Sequence, residues 1–201
     1  MSDLLLEIKD VSLSLNKKPS ILSIVGESGS GKTTLAKIFL KLHEPTSGDV
    51  LLEGKSVFDS QRGLDALAYY RAVQPIFQNP FETFSMCKHV DSYLYDTALN
   101  LKVAKDRNEA RTIIADALSS VDLDINAVAG KYPNQFSGGE LQRISVARGL
   151  IPRPKLIVAS LRMNIVNLFL SLKETYDDSF IYITHDLSTA YYVSDYVSTM
   201  N

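Results

Sequence analysis

The stretch Gly26-Glu27-Ser28-Gly29-Ser30-Gly31-Lys32-Thr33 constrains the fold more than any other feature of this 201-residue chain. It satisfies G-x-x-x-x-G-K-[ST] without a mismatch. An apolar run, Ser20 to Val25, precedes it, and an amphipathic stretch, Thr33 to His43, follows with Leu35, Ile38, Phe39 and Leu42 on one face. Three glycines let the backbone turn tightly enough for several N–H groups to face one anion. The helix start adds its positive end. Such a loop needs a buried strand feeding directly into a helix, and its chemistry is that of a nucleoside triphosphate cradle. Lys32 reaches the β- and γ-phosphates, Thr33 offers a hydroxyl to Mg²⁺, and Thr34 lies beside it. A Gly-Ser turn matching by chance would require neither flanking element.

Composition narrows the classes around that cradle. Hydrophobic content of 45% and charged content of 22% are ordinary for a globular chain. A formal net charge of −2 argues against a nucleic-acid partner, which usually demands a basic excess. The single cysteine, Cys87, excludes an internal disulfide and fits a reducing compartment. Apolar clusters at Ile165 to Leu172 and Ile181 to Ile183 are too short to cross a bilayer, which needs roughly 18 residues. The first residues carry no secretory signal, so a membrane role would have to come through a partner.

Periodicity predicts strands at Leu4–Ile8, Ser20–Val25, Ile76–Phe77, Leu156–Ala159 and Phe180–Thr184. It predicts a hairpin pairing Val50–Leu52 with Ser56–Phe58, and helices at Leu64–Ala72, Val90–Leu99, Asp106–Val121, Gly138–Leu150, Ser160–Lys173 and Leu187–Val193. Alternation of strands and helices implies an α/β fold with a mainly parallel sheet. The long helical stretch from Phe81 interrupts that alternation as an inserted block. Histidines 43 and 89 stand at no metal-ligand spacing and are expected at the surface.

A second constellation is Tyr132-Pro133-Asn134-Gln135-Phe136-Ser137-Gly138-Gly139-Glu140-Leu141-Gln142-Arg143. Ser137 and Glu140 match a capping box, in which two orphan amides at a helix start are satisfied reciprocally. The box does not account for Gly138 and Gly139, which cost about 1 kcal/mol each against alanine inside a helix. Glycines there make sense if another body approaches the backbone closely.

This stretch resembles the signature motif of ABC-type ATP-binding subunits, with Phe-Ser-Gly-Gly-Glu in place of the commoner Leu-Ser-Gly-Gly-Gln. Gln78 resembles that family's Q-loop glutamine, which senses Mg²⁺ and the transmembrane subunit. His185, in Ile183-Thr184-His185-Asp186, resembles its switch histidine. Read alone, Gln78 would be a solvated loop amide, and Thr184 or Asp186 a helix cap. Four motifs in family order favour the functional readings.

The resemblance implies a P-loop NTPase core with a small antiparallel portion and an inserted helical subdomain. It also implies a single domain over 1–201, with 81–150 as the helical and signature subdomain, shortened at both ends. ATP and Mg²⁺ are the implied cofactors. Gly26 to Thr34 would bind the nucleotide, Thr33 and Gln78 the metal, and Gln78 and His185 would act in catalysis. Ser137, Gly138, Gly139 and Glu140 would complete a second subunit's site across a homo- or heterodimer. A transmembrane permease would hold the protein at the cytoplasmic face of the membrane. The phrases around Gln78 and Tyr132 most resemble the dipeptide and oligopeptide importers, with sugar importers close in style. A soluble ABC ATPase acting on DNA or ribosomes would need coiled-coil insertions or a tandem domain.

The sequence departs from the family in three places. Leu156-Ile157-Val158-Ala159 should run into Asp-Glu-Pro, yet Ser160-Leu161-Arg162 follows directly. The Walker B aspartate, the catalytic glutamate and the D-loop are therefore absent, and a strand-to-helix connection that normally takes about 2–6 residues has almost none. No aromatic residue precedes Phe39 to stack on adenine, and the family's closing strands are not expected before Asn201. Omission of natural segments and decay of hydrolysis both fit this pattern. In the second case the chain is a nucleotide-binding or regulatory subunit.

Overall fold

The computed structural model describes residues 20–59, 63–160, 168, 170–172 and 179–200. Its strands are β1 (Ile21–Gly26), β2 (Leu51–Leu52), β3 (Lys55–Ser56), β4 (Val73–Ile76), β5 (Leu156–Ala159), β6 (Ser179–Thr184) and β7 (Tyr196–Met200). Its helices are α1 (Lys32–Phe39), α2 (Ala66–Ala72), α3 (Pro80–Thr83), α4 (Val90–Asn100), α5 (Arg107–Ser119), α6 (Ile125–Val128), α7 (Gly138–Leu150) and α8 (Leu187–Val193).

Five strands form one sheet in the order β4-β5-β6-β1-β7, and every neighbouring pair is parallel. β2 and β3 make a separate antiparallel hairpin. In β1, β5 and β6 alternate residues enter opposite cores. Ile21, Ile157, Phe180 and Tyr182 join the helical side, while Leu22, Ile24, Val158, Ile181 and Ile183 join the side of α1 and the hairpin. Burial on both faces is why these strands are continuous apolar runs rather than alternating ones.

Helix starts follow the side chains that can accept a first-turn amide. Asp65, Asn79, Asp106, Asp124, Ser137 and Asp186 cap α2, α3, α5, α6, α7 and α8 in turn. Between β4 and β5 the regular structure is helical, and α4, α5 and α7 share one buried core with β4 and β5. Arg71 ties α2 to the end of α4 by donating to the carbonyls of Leu101 and Lys102.

Several boundaries differ from expectation. α1 stops at Phe39, short of His43, because Lys41 turns left-handed (φ 56°) and Leu42 is left exposed. The strand expected at Ile76–Phe77 begins at Val73 and ends at Ile76, and the hairpin strands are two residues each. The stretch from Phe81 breaks at residues 84–89 and 101–106. β7, not anticipated, pairs with β1, and Ile21 and Asp195 exchange hydrogen bonds at its entrance. His43 is exposed as expected, whereas His89 is half-buried, its ring 4.3 Å from that of Tyr132. The strand expected at Leu4–Ile8 lies outside the described residues, as does most of the helix expected at Ser160–Lys173.

Candidate nucleotide-binding site

Because all five strands of the main sheet run the same way, their carboxyl ends share one edge, where α/β sheets place ligands. The loop after β1 carries Glu27 to Gly31, the loop after β4 carries Gln78, β5 ends beside Ser160, and β6 delivers His185. These segments line one cleft of about 450 Å³, bounded by Ser28, Gly29, Gly31 to Thr34, Gln78, Ser160, Ile183, Thr184 and His185.

Backbone geometry shapes the cleft. Gly29 (φ 92°) and Gly31 (φ 89°) are left-handed, a conformation that costs L-residues energy and glycine almost nothing. Gly26 serves a different need. A Cβ there would lie 2.3 Å from the Met200 carbonyl oxygen and 2.7 Å from Ser30 Oγ, so only glycine passes between β7 and the turn. Gly31 opens α1 without any side-chain cap. Its first-turn amides are thus available to an anion, in contrast to the six helices capped by their own Asp, Asn or Ser.

Lys32 lies along this loop. Its ammonium donates to the carbonyl oxygens of Gly26 (2.8 Å) and Glu27 (2.5 Å) and approaches Ser30 Oγ at 3.1 Å. Gly26, Glu27 and Ser30 therefore act on the cleft by holding Lys32, not by lining it. Thr33, Gln78 and His185 are exposed. Asp186, next to His185, caps α8 through the Ser188 amide at 2.9 Å and also accepts from the Thr189 hydroxyl. The Thr189 hydroxyl, then the Ser188 amide, holds the Asp186 carboxyl below its ordinary value.

The cleft suits a triphosphate: glycine amides, an uncapped helix start and one ammonium converge on it. For a magnesium ion it offers the Thr33 hydroxyl and the Gln78 side chain. None of the described residues lining it is an aspartate or glutamate, and residues 141–173 contain neither in sequence. Ser160 donates its N–H to the Ile76 carbonyl at 2.9 Å, extending the β4–β5 ladder one step. It occupies the strand-end position where a Walker B carboxylate was expected. Thr184 and Ile183 line the cleft without having been anticipated. Their signal was positional, the last two residues of a buried parallel strand.

The Ser137–Glu140 segment is not part of this cleft. It opens α7 with the expected capping box. Ser137 Oγ accepts from the Glu140 amide at 3.2 Å, and Glu140 Oε2 accepts from the Ser137 amide at 2.8 Å and its hydroxyl at 2.7 Å. That hydroxyl, then that amide, holds the Glu140 carboxyl below its ordinary range. Gly138 and Gly139 border open space. A Cβ on Gly139 would meet no heavy atom within 4 Å, and one on Gly138 only the Phe81 ring at 3.9 Å.

The profile of the ABC transporter family matches residues 8–159, three-quarters of the chain. The chain belongs to the ABC transporter family. Among curated relatives of this ABC protein, the oligopeptide transport ATP-binding protein AppF of Bacillus subtilis is 33% identical over 204 residues. That match takes in 96% of this chain and 60% of AppF. OppF of Streptococcus pyogenes serotype M1, an oligopeptide transport ATP-binding protein, is 29% identical over 226 residues, covering all of this chain and 73% of the relative. The chain thus spans well under the full length of both, and it resembles the oligopeptide importer branch. A match of 226 positions against 201 residues leaves at least 25 positions of OppF without a counterpart here.

Among solved structures, the ATP-binding cassette MJ0796, a dimer in a post-hydrolysis state with ADP and phosphate, superposes with a TM-score of 0.75. It is 25% identical, over 96% of this chain and 86% of that one. CbiO1 of Clostridium perfringens gives a TM-score of 0.77 at 22% identity, over 92% of this chain and 74% of that one, a likeness of fold. No helix among the described residues is long and apolar enough to cross a membrane.

Proposed function

We propose that this ABC protein is the ATP-binding subunit of an oligopeptide importer, coupling nucleotide binding to solute movement through a membrane permease. The convergence of the Gly26–Thr33 loop, Gln78 and His185 on one cleft carries the reading. The likeness to oligopeptide transport ATP-binding proteins supplies the class of cargo. When bound, Mg²⁺ would offset the negative charge of the ATP phosphates, and the chain's residues would orient both. The amides of residues 29–33 cradle phosphate oxygens, and the Lys32 ammonium exchanges the Gly26 and Glu27 carbonyls for them. Thr33 and Gln78 would hold the metal through oxygen, and His185, on the same cleft, would stand by the terminal phosphate.

Ser137, Gly138 and Gly139 lie outside the chain's own cleft and point to service in a second ABC subunit's site, with Glu140 holding the helix start in place. The permease partner would find exposed apolar side chains close to Gln78 in sequence, namely Phe77, Phe81 and Met86, and would hold the protein at the cytoplasmic membrane face. In this reading residues 81–150 work as one helical unit.

Titration with a fluorescent ATP analogue in Mg²⁺ tests the cradle. Lys32→Ala is expected to weaken binding at least about tenfold, the loss of one charge-assisted contact. Equal affinity in wild type and variant would refute it.

The end of β5 favours a second reading for turnover. With Ser160 at the strand end where the family resemblance implies a carboxylate, this chain's own cleft would bind ATP and hydrolyse it slowly. A missing general base typically costs about 10²–10⁴ in rate. Lys32-dependent hydrolysis at several turnovers per second by the purified chain would overturn this.

A further inference from the structure

One face of α7 lies along the chain that runs from β4 into α3. Near the helix end, Gly149 packs against this strand, where a Cβ would sit 3.4 Å from Ile76 Cγ1 and 3.9 Å from Gln74 Cβ. Two turns earlier Gln142, only 5% exposed, donates from Nε2 to the Phe77 carbonyl oxygen at 3.1 Å. One further turn back, at the helix start, Gly138 faces the Phe81 ring. Spacings of four and seven residues put all three on one stripe. The stripe meets residues 74–81 in antiparallel sense, with glycine opposite the Ile76 and Phe81 side chains.

A buried glutamine amide is a costly way to fill such a seam unless its hydrogen bond matters. Its acceptor is the carbonyl of the peptide joining Phe77 to Gln78. A peptide unit is planar, so holding that oxygen also fixes the orientation of the Gln78 amide N–H and the position of its Cα, the base from which its side chain departs. The residue doing the holding stands two positions beyond Glu140 on the helix that Ser137, Gly138 and Gly139 begin.

We propose that Gln142 is a positioning residue that couples Gln78 to the start of α7. Seating Mg²⁺ and triphosphate against Gln78 is then transmitted through the Phe77 carbonyl to Ser137–Glu140 within the same chain. The proposal rests on the nucleotide-binding reading above. It requires no contact between Gln142 and nucleotide, and it gives the buried Gln142 amide a role at this point of the helix.

Amide hydrogen exchange tests it, at a protein concentration where light scattering finds monomer, with and without Mg²⁺·ATP. In the wild type, nucleotide is expected to slow exchange over residues 26–34, 77–81 and 137–141. In Gln142→Met, which keeps the volume and removes the donor, slowing at 26–34 should stay within about twofold. Slowing at 137–141 should fall about fivefold or more, the low end of ordinary coupling between sites.

A purely structural role for Gln142 would instead loosen α7 equally with and without nucleotide, and that result overturns the proposal. So does undiminished slowing at 137–141 in the variant, or none there in the wild type. Absence of slowing at 26–34 in the wild type would mean that the cradle reading itself has failed. Should Gln142→Met lose the native melting transition, Gln142→Asn replaces it, its amide one methylene short of the Phe77 oxygen, with the same outcomes deciding.

Discussion

Gly139 offers a direct test of why two glycines stand in the first turn of α7. Its added Cβ would meet nothing within 4 Å, and neither it nor Gly138 has the positive φ that only glycine adopts cheaply. Nothing in the fold of the single chain therefore requires glycine at either position. Alanine gains about 1 kcal/mol over glycine inside a helix, and about half of that in a fraying first turn. Gly139→Ala should thus stabilise the isolated protein by about 0.5–1 kcal/mol. For a chain of this length that raises the thermal midpoint by about 1–4 °C. If the glycines exist so that another subunit's nucleotide can approach the helix start, the same methyl should weaken Mg²⁺·ATP-dependent association. Holding the phosphates away from the helix-start amides is expected to cost about tenfold or more in affinity, read by light scattering at rising protein concentration. The two readouts move in opposite directions. Destabilisation beyond about 1 kcal/mol would mean that glycine serves this chain's own packing, and unchanged association would remove the case for an approaching partner.

Gly26→Ala should behave oppositely. With Met200 O at 2.3 Å and Ser30 Oγ at 2.7 Å from the new Cβ, either β7 or the turn must move. Overpacking of this kind costs about 1–3 kcal/mol, measurable by urea unfolding, with amides of residues 196–200 losing protection; native stability in the variant would contradict the close approach. The caps predict an acid limb. Amides of Glu109, then Asn108, hold the Asp106 carboxyl below its ordinary 3.8. Its contribution to stability is therefore fully present above that value and is lost as pH falls through it toward the folded value. Asp106→Asn keeps an acceptor for the same amides but cannot titrate. Its melting temperature should fall less steeply below pH 4 than that of the wild type, and parallel acid limbs would sink the assignment.

Much of the edge that carries the candidate site was legible because its signals are local. A glycine loop between an apolar run and a helix, and apolar runs ending at Ala159 and Thr184, each fixed where a buried strand stops and where a parallel sheet puts its ligand. The Ser137–Glu140 capping pair placed the start of α7, and of the two caps the sequence offered for α8, Thr184 and Asp186, it is Asp186 that accepts the Ser188 amide. Legibility failed where partners are distant. β7 pairs with β1 from the far end of the chain, Ile21 and Asp195 being 174 residues apart. It has no buried run of its own, so Tyr196 to Met200 gave no periodic signal. α1 was overextended because Leu42 continues the apolar spacing, while the turn at Lys41 uses a left-handed lysine where glycine is usual. Gln142 was invisible as anything but part of a motif, because its acceptor is a carbonyl 65 residues earlier.

In the proposed reading, phosphate binding and hydrolysis are separable in this chain because they would rest on different strands. The cradle comes from β1 and α1, with Lys32 held by the carbonyls of Gly26 and Glu27. The carboxylate of an ABC site would come from the end of β5. That end keeps its register, with Ser160 bonded to Ile76 and opening onto the cleft, and in the second reading proposed above it would supply a hydroxyl in place of a carboxylate. A deficit there leaves the glycine loop untouched, and it equally leaves the start of α7, whose capping box closes on itself through Ser137 and Glu140. A subunit slow at its own cleft would therefore still bind triphosphate. It would also still present Ser137, Gly138 and Gly139 to a partner's nucleotide. Its contribution to transport would then be measured better by the partner's turnover than by its own.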